Sequence, residues 1–91
     1  MDESESPSLG PRTMKTIGDL CKLIRTRHDM TQREWAKRLK ITQGYVGQVE
    51  ANFNRYPIEY LKSLRPYMTR DDRRTALEIM KKSLEQEIDG E

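Results

Sequence analysis

Residues 31–49 of this chain have the sequence "TQREWAKRLKITQGYVGQV". It contains two Thr-Gln pairs eleven residues apart, each at the start of a short segment with helical periodicity. Thr31 and Glu34 have the spacing of a capping box, in which two side chains satisfy N–H groups at the start of a helix. Thr42 has the position of an N-cap for the next helix. The stretch therefore predicts two short helices in succession.

The link between these helices is short. Only Lys40 and Ile41 separate the first helix from Thr42, which is the spacing of a helix-turn-helix. On the second helix Val46 and Val49 are expected to point to the core. The opposite face then carries Gln43, Gly44, Gly47, Gln48 and Ala51. That face has no acid and no bulky group.

Such a face fits the major groove of DNA. A glutamine amide can pair bidentately with N6 and N7 of adenine, so Gln43 is a candidate base contact. Gln32, at the positive N-terminus of the preceding helix, is expected over the phosphate backbone. Tyr45 lies beside the same face, where its hydroxyl donates to phosphate or its ring simply packs at the rim.

The charge distribution points to an anionic partner for the middle of the chain. The formal net charge is +2, but residues 1–10 carry −3, residues 11–70 carry +8 and residues 71–91 carry −3. A basic body between two acidic ends favours binding of an anion by the body alone. Accidental clustering on a solvated surface is the alternative.

Composition argues against several other classes. No apolar run reaches membrane-spanning length, and the first residues lack a signal peptide, so no membrane association is expected. The single Cys21 cannot form an internal disulfide, which fits a reducing cytosol. A DNA-binding protein there is expected to be nucleoid-associated. With His28 as the only histidine, no metal site is predicted. No nucleophile–base pair is suggested by spacing, so we expect neither catalysis nor a cofactor.

The periodicity predicts an all-α fold of five helices. The first runs from Ile17 to about His28, and the fifth from Thr69 to about Ile88. The fourth starts with Pro57 at its first position and ends before Pro66. Its expected core residues are Ile58, Leu61 and Leu64. The predicted organisation is a disordered arm (1–13), a helix-turn-helix DNA-binding domain (14–68) and a C-terminal helix (69–91).

Residues 17 to about 68 resemble the Xre/Cro class of helix-turn-helix regulators, especially the lambdoid phage repressors and Cro proteins. The resemblance rests on the spacing of the two glutamines, a small residue in the middle of the first helix, two apolar residues flanking the turn, and two buried valines. Those residues are Gln32, Gln43, Ala36, Leu39, Ile41, Val46 and Val49, and Ala36 lies in the second of the five helices, which is the first helix of the helix-turn-helix. The resemblance implies a five-helix lambda-repressor-like domain, here with an extended C-terminal helix.

The resemblance also implies roles for individual residues. Gln32 binds phosphate and braces Gln43 against adenine, Gln48 makes a further base contact, and the loop after the third helix binds phosphates. An ion pair between Arg25 and Glu50 joins the first and third helices. The full expected DNA-binding set is Gln32, Thr42, Gln43, Gly44, Tyr45, Gly47, Gln48, Asn52, Asn54 and Arg55.

The chain departs from the family pattern at four positions. Lys40 occupies the turn position that is usually glycine, and Trp35 replaces the usual leucine. Gly44 and Gly47 lie inside a short helix, where each costs about 1 kcal/mol relative to alanine. Either they allow close approach of this helix to DNA, or selection on an already packed helix is weak.

The C-terminal helix carries a narrow apolar stripe of Ala76, Leu77, Met80, Leu84 and Ile88. An amphipathic extension of this kind predicts a dimer seam, which we assign to Leu77, Met80, Leu84 and Ile88. The alternative is that the helix folds back on its own domain.

The expected function is a sequence-specific double-stranded DNA-binding transcriptional regulator, a repressor binding a palindromic operator as a homodimer. Repression is implied by the resemblance alone. The alternatives are an antitoxin or other protein-binding helix-turn-helix module with autoregulatory DNA binding and, more weakly, a recombination accessory factor.

Overall fold

A computed structural model of the chain describes residues 16–54 and 56–89. Within those ranges it contains five α-helices and no strand. The helices are α1 (Ile17–Arg27), α2 (Gln32–Leu39), α3 (Gln43–Glu50), α4 (Ile58–Leu64) and α5 (Arg70–Asp89), with a 3₁₀ turn (Arg65–Tyr67) between α4 and α5. The predicted all-α class and long last helix are confirmed. The arm predicted at residues 1–13 and the candidate contact Arg55 lie outside the described residues.

Threonine side chains start the first three helices. Thr16 caps α1 by accepting a hydrogen bond from the backbone N–H of Asp19. Thr31 and Glu34 form the complete capping box predicted for α2, and Thr42 caps α3. These side chains satisfy N–H groups that a helix cannot pair internally, which fixes where each helix begins.

Left-handed residues follow the same three helices. Asp29 after α1, Lys40 after α2 and Asn52 after α3 have φ of 58°, 61° and 66°. Beyond Lys40, the N–H of Ile41 donates to the carbonyl of Ala36 at 2.9 Å, as in a Schellman motif. A lysine therefore takes the turn conformation that glycine adopts at no steric cost.

The core draws on all five helices. Its buried apolar residues are Ile17, Leu20, Cys21, Ile24, Trp35, Ala36, Val46, Val49, Tyr60, Leu64, Ala76 and Ile79. Val46 and Val49, which were predicted to face the core, are fully buried. The apolar residues at helical spacing in α1 and α2 are also buried, except Leu23 and Leu39, which are partly buried. Period-3.6 patterning is therefore enough to place the inward faces of these short helices.

The core face of α4 was predicted correctly at Leu64, which is fully buried, but not at Ile58. Ile58 was expected inside but is 47% exposed, and the helix starts there, with buried Pro57 as the preceding cap residue. Tyr60 and Leu64, one turn apart, are fully buried and face the core. Because they define the inward side, Ile58 turns outward and Leu61 lies partly buried at the edge.

Trp35 is accommodated by an aromatic cluster. Its ring centroid lies 5.5 Å from that of His28 and 5.0 Å from that of Tyr67. His28 Nδ1 also lies 2.9 Å from the carbonyl oxygen of Ile24, in the last turn of α1. The larger side chain at position 35 is thus enclosed by the end of α1 and the 3₁₀ turn.

Two faces of α5 have different surroundings. Its first half buries Asp72, Thr75, Ala76 and Ile79 against the body, so Ala76 belongs to the core and Ile79 was missed. Leu77, Leu84 and Ile88 are 65%, 50% and 70% exposed, while Met80 is partly buried. The helix therefore folds back along one face and leaves most of the predicted seam open.

Asp72, in the first turn of α5, is buried. It accepts hydrogen bonds from Arg27 Nη2 at 2.5 Å and from the N–H of Thr69 at 2.8 Å. Burial raises the pKa of Asp72, but these hydrogen bonds and the charge of Arg27 outweigh burial, so its pKa lies below the ordinary value. This pair ties α5 to α1.

Candidate nucleic-acid interface

The outward face of α3 is polar, small and free of acids. Gln43, Gly44, Gln48 and Ala51 are exposed along it, and Gly47 is partly exposed. The face carries no carboxylate that would repel a polyanion. Each exposed glutamine presents one donor group and one acceptor group. The face therefore has the chemistry that hydrogen bonding to base edges requires.

The one acid of α3, Glu50, is turned inward to Arg25. Arg25 Nε donates to Glu50 Oε2 at 2.7 Å and Nη2 donates to Oε1 at 2.9 Å. Arg25 Nη1 also donates to the carbonyl oxygen of Met30 at 2.7 Å. The side chains are 10% and 4% exposed, so the ion pair implied by the family resemblance is present and nearly buried. It connects α1, the α1–α2 loop and α3.

Gln32 joins this network. Its Nε2 donates to Glu50 Oε1 at 3.1 Å, so the first residue of α2 contacts the last residue of α3. A carboxylate accepts only, which fixes the orientation of the amide: nitrogen toward Glu50 and oxygen outward. A Cβ added to Gly47 would lie 3.6 Å from Gln32 Oε1. The amide oxygen of Gln32 therefore lies above the outward face of α3. Sequence reasoning had not linked Gln32 to Glu50.

The N-terminus of α2 lies beside this face. The hydroxyl of Thr31 accepts from the N–H of Glu34 at 3.1 Å, and the carboxylate of Glu34 accepts from the N–H of Thr31. The N–H groups of Gln32 and Arg33 belong to the first turn, where no intrahelical carbonyl is available. They and the helix dipole favour an anion such as phosphate.

Gly44 and Gly47 have no packing role that requires glycine. A Cβ added at Gly44 meets nothing within 4 Å, and one added at Gly47 makes only an ordinary contact. Neither residue has a positive φ. Alanine would stabilise a helix at both positions. The contacts within the described residues therefore give no reason for glycine at either position.

The loop after α3 uses asparagines for internal contacts. Asn52 Oδ1 accepts from the N–H of Gly18 at 2.9 Å, and Asn54 Oδ1 accepts from the N–H of Tyr56 at 3.0 Å. Each bond uses the carbonyl half of the amide. The NH₂ groups are the halves that can donate to phosphate, so these internal bonds are compatible with the expected contacts.

Gly18 was not singled out from the sequence, yet it sets the packing of α1 on α3. A Cβ there would lie 2.5 Å from Asn52 Oδ1, 2.6 Å from the carbonyl oxygen of Glu50 and 2.8 Å from that of Val49. Only glycine allows this approach. A glycine at the second position of a helix is the sequence signal that could have indicated it.

Tyr45 packs against the core edge. Its ring meets that of Tyr60 in a T-shaped arrangement with centroids 5.5 Å apart, which positions the residue at the rim of the α3 face. The contact with Tyr60 therefore supports the interpretation that Tyr45 packs at the rim. The expected phosphate contact of its hydroxyl stays a prediction.

The remaining reactive group is a buried thiol. Burial, together with the negative charge of Glu50, raises the pKa of Cys21, so the group stays protonated at neutral pH and is a poor nucleophile. In the described ranges no three His, Cys, Asp or Glu side chains gather as a metal site would require. None of the described helices is long and apolar enough to cross a membrane.

Comparisons with known proteins gave no match: no protein-family model, no curated protein and no solved structure is similar to this chain at a significant level.

Proposed function

We propose that the chain is a sequence-specific double-stranded DNA-binding regulator of the lambda-repressor-like type, in which α2 and α3 form the helix-turn-helix. The observation that carries this proposal is the acid-free outward face of α3, with the N-terminus of α2 beside it. α3 enters the major groove, and Gln43 and Gln48 contact base edges. We place the protein in the cytoplasm, associated with the nucleoid, and propose no catalytic activity for it.

The phosphate contacts flank the groove. The first-turn N–H groups of α2, the amides of Asn52 and Asn54, and the hydroxyls of Thr42 and Tyr45 are the proposed donors, with Arg55 adding charge. Gln32 keeps its nitrogen on Glu50 and presents its oxygen to a neighbouring amide donor. In the resemblance this donor is Gln43, whose orientation against adenine is then fixed.

The glycines supply an additional argument. Gly44 and Gly47 each weaken α3 by about 1 kcal/mol relative to alanine without any compensating contact in the domain. Close approach of the α3 backbone to DNA gives them a role, because a methyl group at either position would hold the helix away from the base edges.

Alanine substitution of the two glycines tests this role, because it should raise the stability of the domain and lower its affinity for DNA. Gly44→Ala and Gly47→Ala are expected to raise the free energy of unfolding by about 1 kcal/mol each. The same variants are expected to bind operator DNA at least about tenfold more weakly, a loss of about 1.4 kcal/mol. Urea titration and gel-shift titration give the two quantities. Undiminished DNA affinity in both variants would contradict close approach by α3.

Binding as a homodimer on a palindromic operator is part of the proposal. Two copies place their α3 helices in half-sites about 34 Å apart. Phosphate contacts from both copies predict that the logarithm of affinity falls with the logarithm of salt concentration with a slope of about −4 to −7. Repression follows when such a dimer occludes a promoter.

The alternative of a protein-binding module keeps one observation in its favour. Leu77, Leu84 and Ile88 form an exposed apolar surface on α5, and surfaces of this kind mark protein interfaces. Recovery of a stable complex with a different protein from cells would favour the antitoxin-like alternative, with DNA binding reduced to autoregulation.

A further inference from the structure

An apolar groove runs between α4 and α5. Its volume is about 310 Å³, and its apolar lining, called the groove floor below, consists of Ile58, Leu61, Met68, Ala76, Leu77 and Met80. Ile58 and Leu77 are 47% and 65% exposed. The groove is therefore an open apolar surface that water covers in the isolated chain.

The rim of this groove is basic. Lys62, Arg65 and Arg73 line it, and no acid does. Lys62 makes only a loose pair with Glu59, at 3.5 Å and with both side chains well exposed. A ligand for the groove should therefore be an apolar stripe flanked by acids.

The distal part of α5 has this chemistry. Leu84 and Ile88 are one turn apart and 50% and 70% exposed. Residues 83–89, "SLEQEID", contain three acids and no base. Glu85 and Asp89 each follow one of the two apolar residues and so flank the stripe on the same side.

This segment cannot reach the groove of its own chain. α5 is one continuous helix from Arg70 to Asp89, and no proline or glycine interrupts it. Residues 81–89 are exposed apart from the partly buried Ser83. Because α5 does not bend back, a distal α5 segment that fills this groove must belong to a second copy of the chain.

We infer that the distal α5 segment of a second copy occupies the α4–α5 groove, so that two copies exchange these segments about a two-fold axis. Leu84 and Ile88 of one copy pack on the groove floor of the other, while Glu85 and Asp89 face the basic rim. The contact is isologous because each chain supplies one groove and one segment. This inference rests on the homodimer of the proposed function and adds the groove, the rim and the charge pattern.

The test uses two charge-reversed chains. The segment-reversed chain carries Glu85→Lys and Asp89→Lys, and the groove-reversed chain carries Arg65→Glu and Arg73→Glu. The two lysines lie in the last turns of α5, and the glutamate at position 73 lies in its first turns, where the helix dipole favours them. These changes should therefore leave the fold intact, and circular dichroism checks this.

The dissociation constant of the dimer is measured by sedimentation in the absence of DNA. Each reversed chain alone opposes like charges in both contacts, so its dimer should weaken by about tenfold to a hundredfold. An equimolar mixture should form a heterodimer near wild-type affinity, because both of its contacts are complementary. All four changes placed in one chain should likewise restore the homodimer.

Three outcomes would overturn the inference. A wild-type chain that stays monomeric would leave the groove to an acidic helix of a different protein. If the reversed chains dimerise like the wild type, the dimer seam lies elsewhere. If an equimolar mixture of the two reversed chains forms no heterodimer, the proposed pairing of the acidic segment with the basic rim is wrong. Gel shift on a single half-site separates this from the proposed function: retained sequence preference in a monomeric variant keeps the DNA-binding proposal while the groove model fails.

Discussion

Arg25 and Glu50 are joined by two hydrogen bonds of 2.7 and 2.9 Å, and the pair holds α1 against the last residue of α3. The side chains are 10% and 4% exposed, so neither charge has water to replace its partner. Gln32 donates to the same carboxylate, which means that the orientation of a proposed interface residue depends on an internal ion pair.

Removing one member of this pair should be costly. Arg25→Met or Glu50→Leu leaves one nearly buried charge without its partner, which is expected to lower the free energy of unfolding by about 3–5 kcal/mol. The double variant should lose far less, because no unpaired charge remains. Urea unfolding of the three variants measures the coupling. Equal losses below about 1 kcal/mol for both single variants would contradict a buried pair.

The left-handed turn at Lys40 predicts a stabilising substitution. Lys40 has φ 61° and ψ 43°, a conformation that strains any residue with a Cβ. Lys40→Gly is expected to raise the free energy of unfolding by about 1 kcal/mol, less any entropy the unfolded chain gains. Lys37→Gly, inside α2, is the matched control and should lower it by about 1 kcal/mol. If both variants lose stability equally, the turn at Lys40 is not strained.

Two glycines should respond to alanine in opposite directions. At Gly18 a Cβ would lie 2.5–2.8 Å from three oxygens of α3 and its following loop, so Gly18→Ala should destabilise the domain by about 1–3 kcal/mol. At Gly44 the space is open, so Gly44→Ala should stabilise it by about 1 kcal/mol. Thermal unfolding monitored by circular dichroism compares the two. A stable Gly18→Ala variant would show that α1 and α3 separate without cost.

Asp72 should govern part of the acid sensitivity. Its folded-state pKa lies below the ordinary value of 3.8, so its pairing stabilises the fold fully above about pH 4–5 and is lost as pH falls through the folded pKa. Asp72→Asn should lower stability at neutral pH and flatten the decline below pH 4. Asp71→Asn removes the same charge from the exposed neighbouring position and should leave the decline unchanged. Identical acid profiles in the two variants would contradict the role of Asp72.

Local signals made much of the fold predictable. Thr31 with Glu34, and Thr42, mark helix starts through short-range hydrogen bonds, and the apolar spacing of α1 to α3 identifies their buried faces. The same method failed at Ile58. Ile58, Tyr60 and Leu64 are all large apolar residues in one short helix, and only the position of the other helices decides which side faces inward.

The candidate site was predictable only in part. The pairing of Arg25 with Glu50 was expected from the resemblance, but the bond from Gln32 to Glu50 arises from the angle between α2 and α3, which spacing does not encode. The surrounding run "RDDRR" does not indicate that Asp72 is buried, because its charges nearly cancel. Arg27, the partner of Asp72, is 45 residues away in the sequence, so no local sequence pattern predicts the contact.

Base recognition by α3 is tested by selecting binding sites from random duplex DNA with the wild type, Gln43→Ala and Gln48→Ala. We predict an enriched palindrome with half-sites one helical turn apart, about 34 Å. Each variant should lose preference at one distinct position per half-site, costing about 1–3 kcal/mol there. The absence of any enriched sequence, or a variant that weakens binding to all sequences equally, would contradict base recognition by α3.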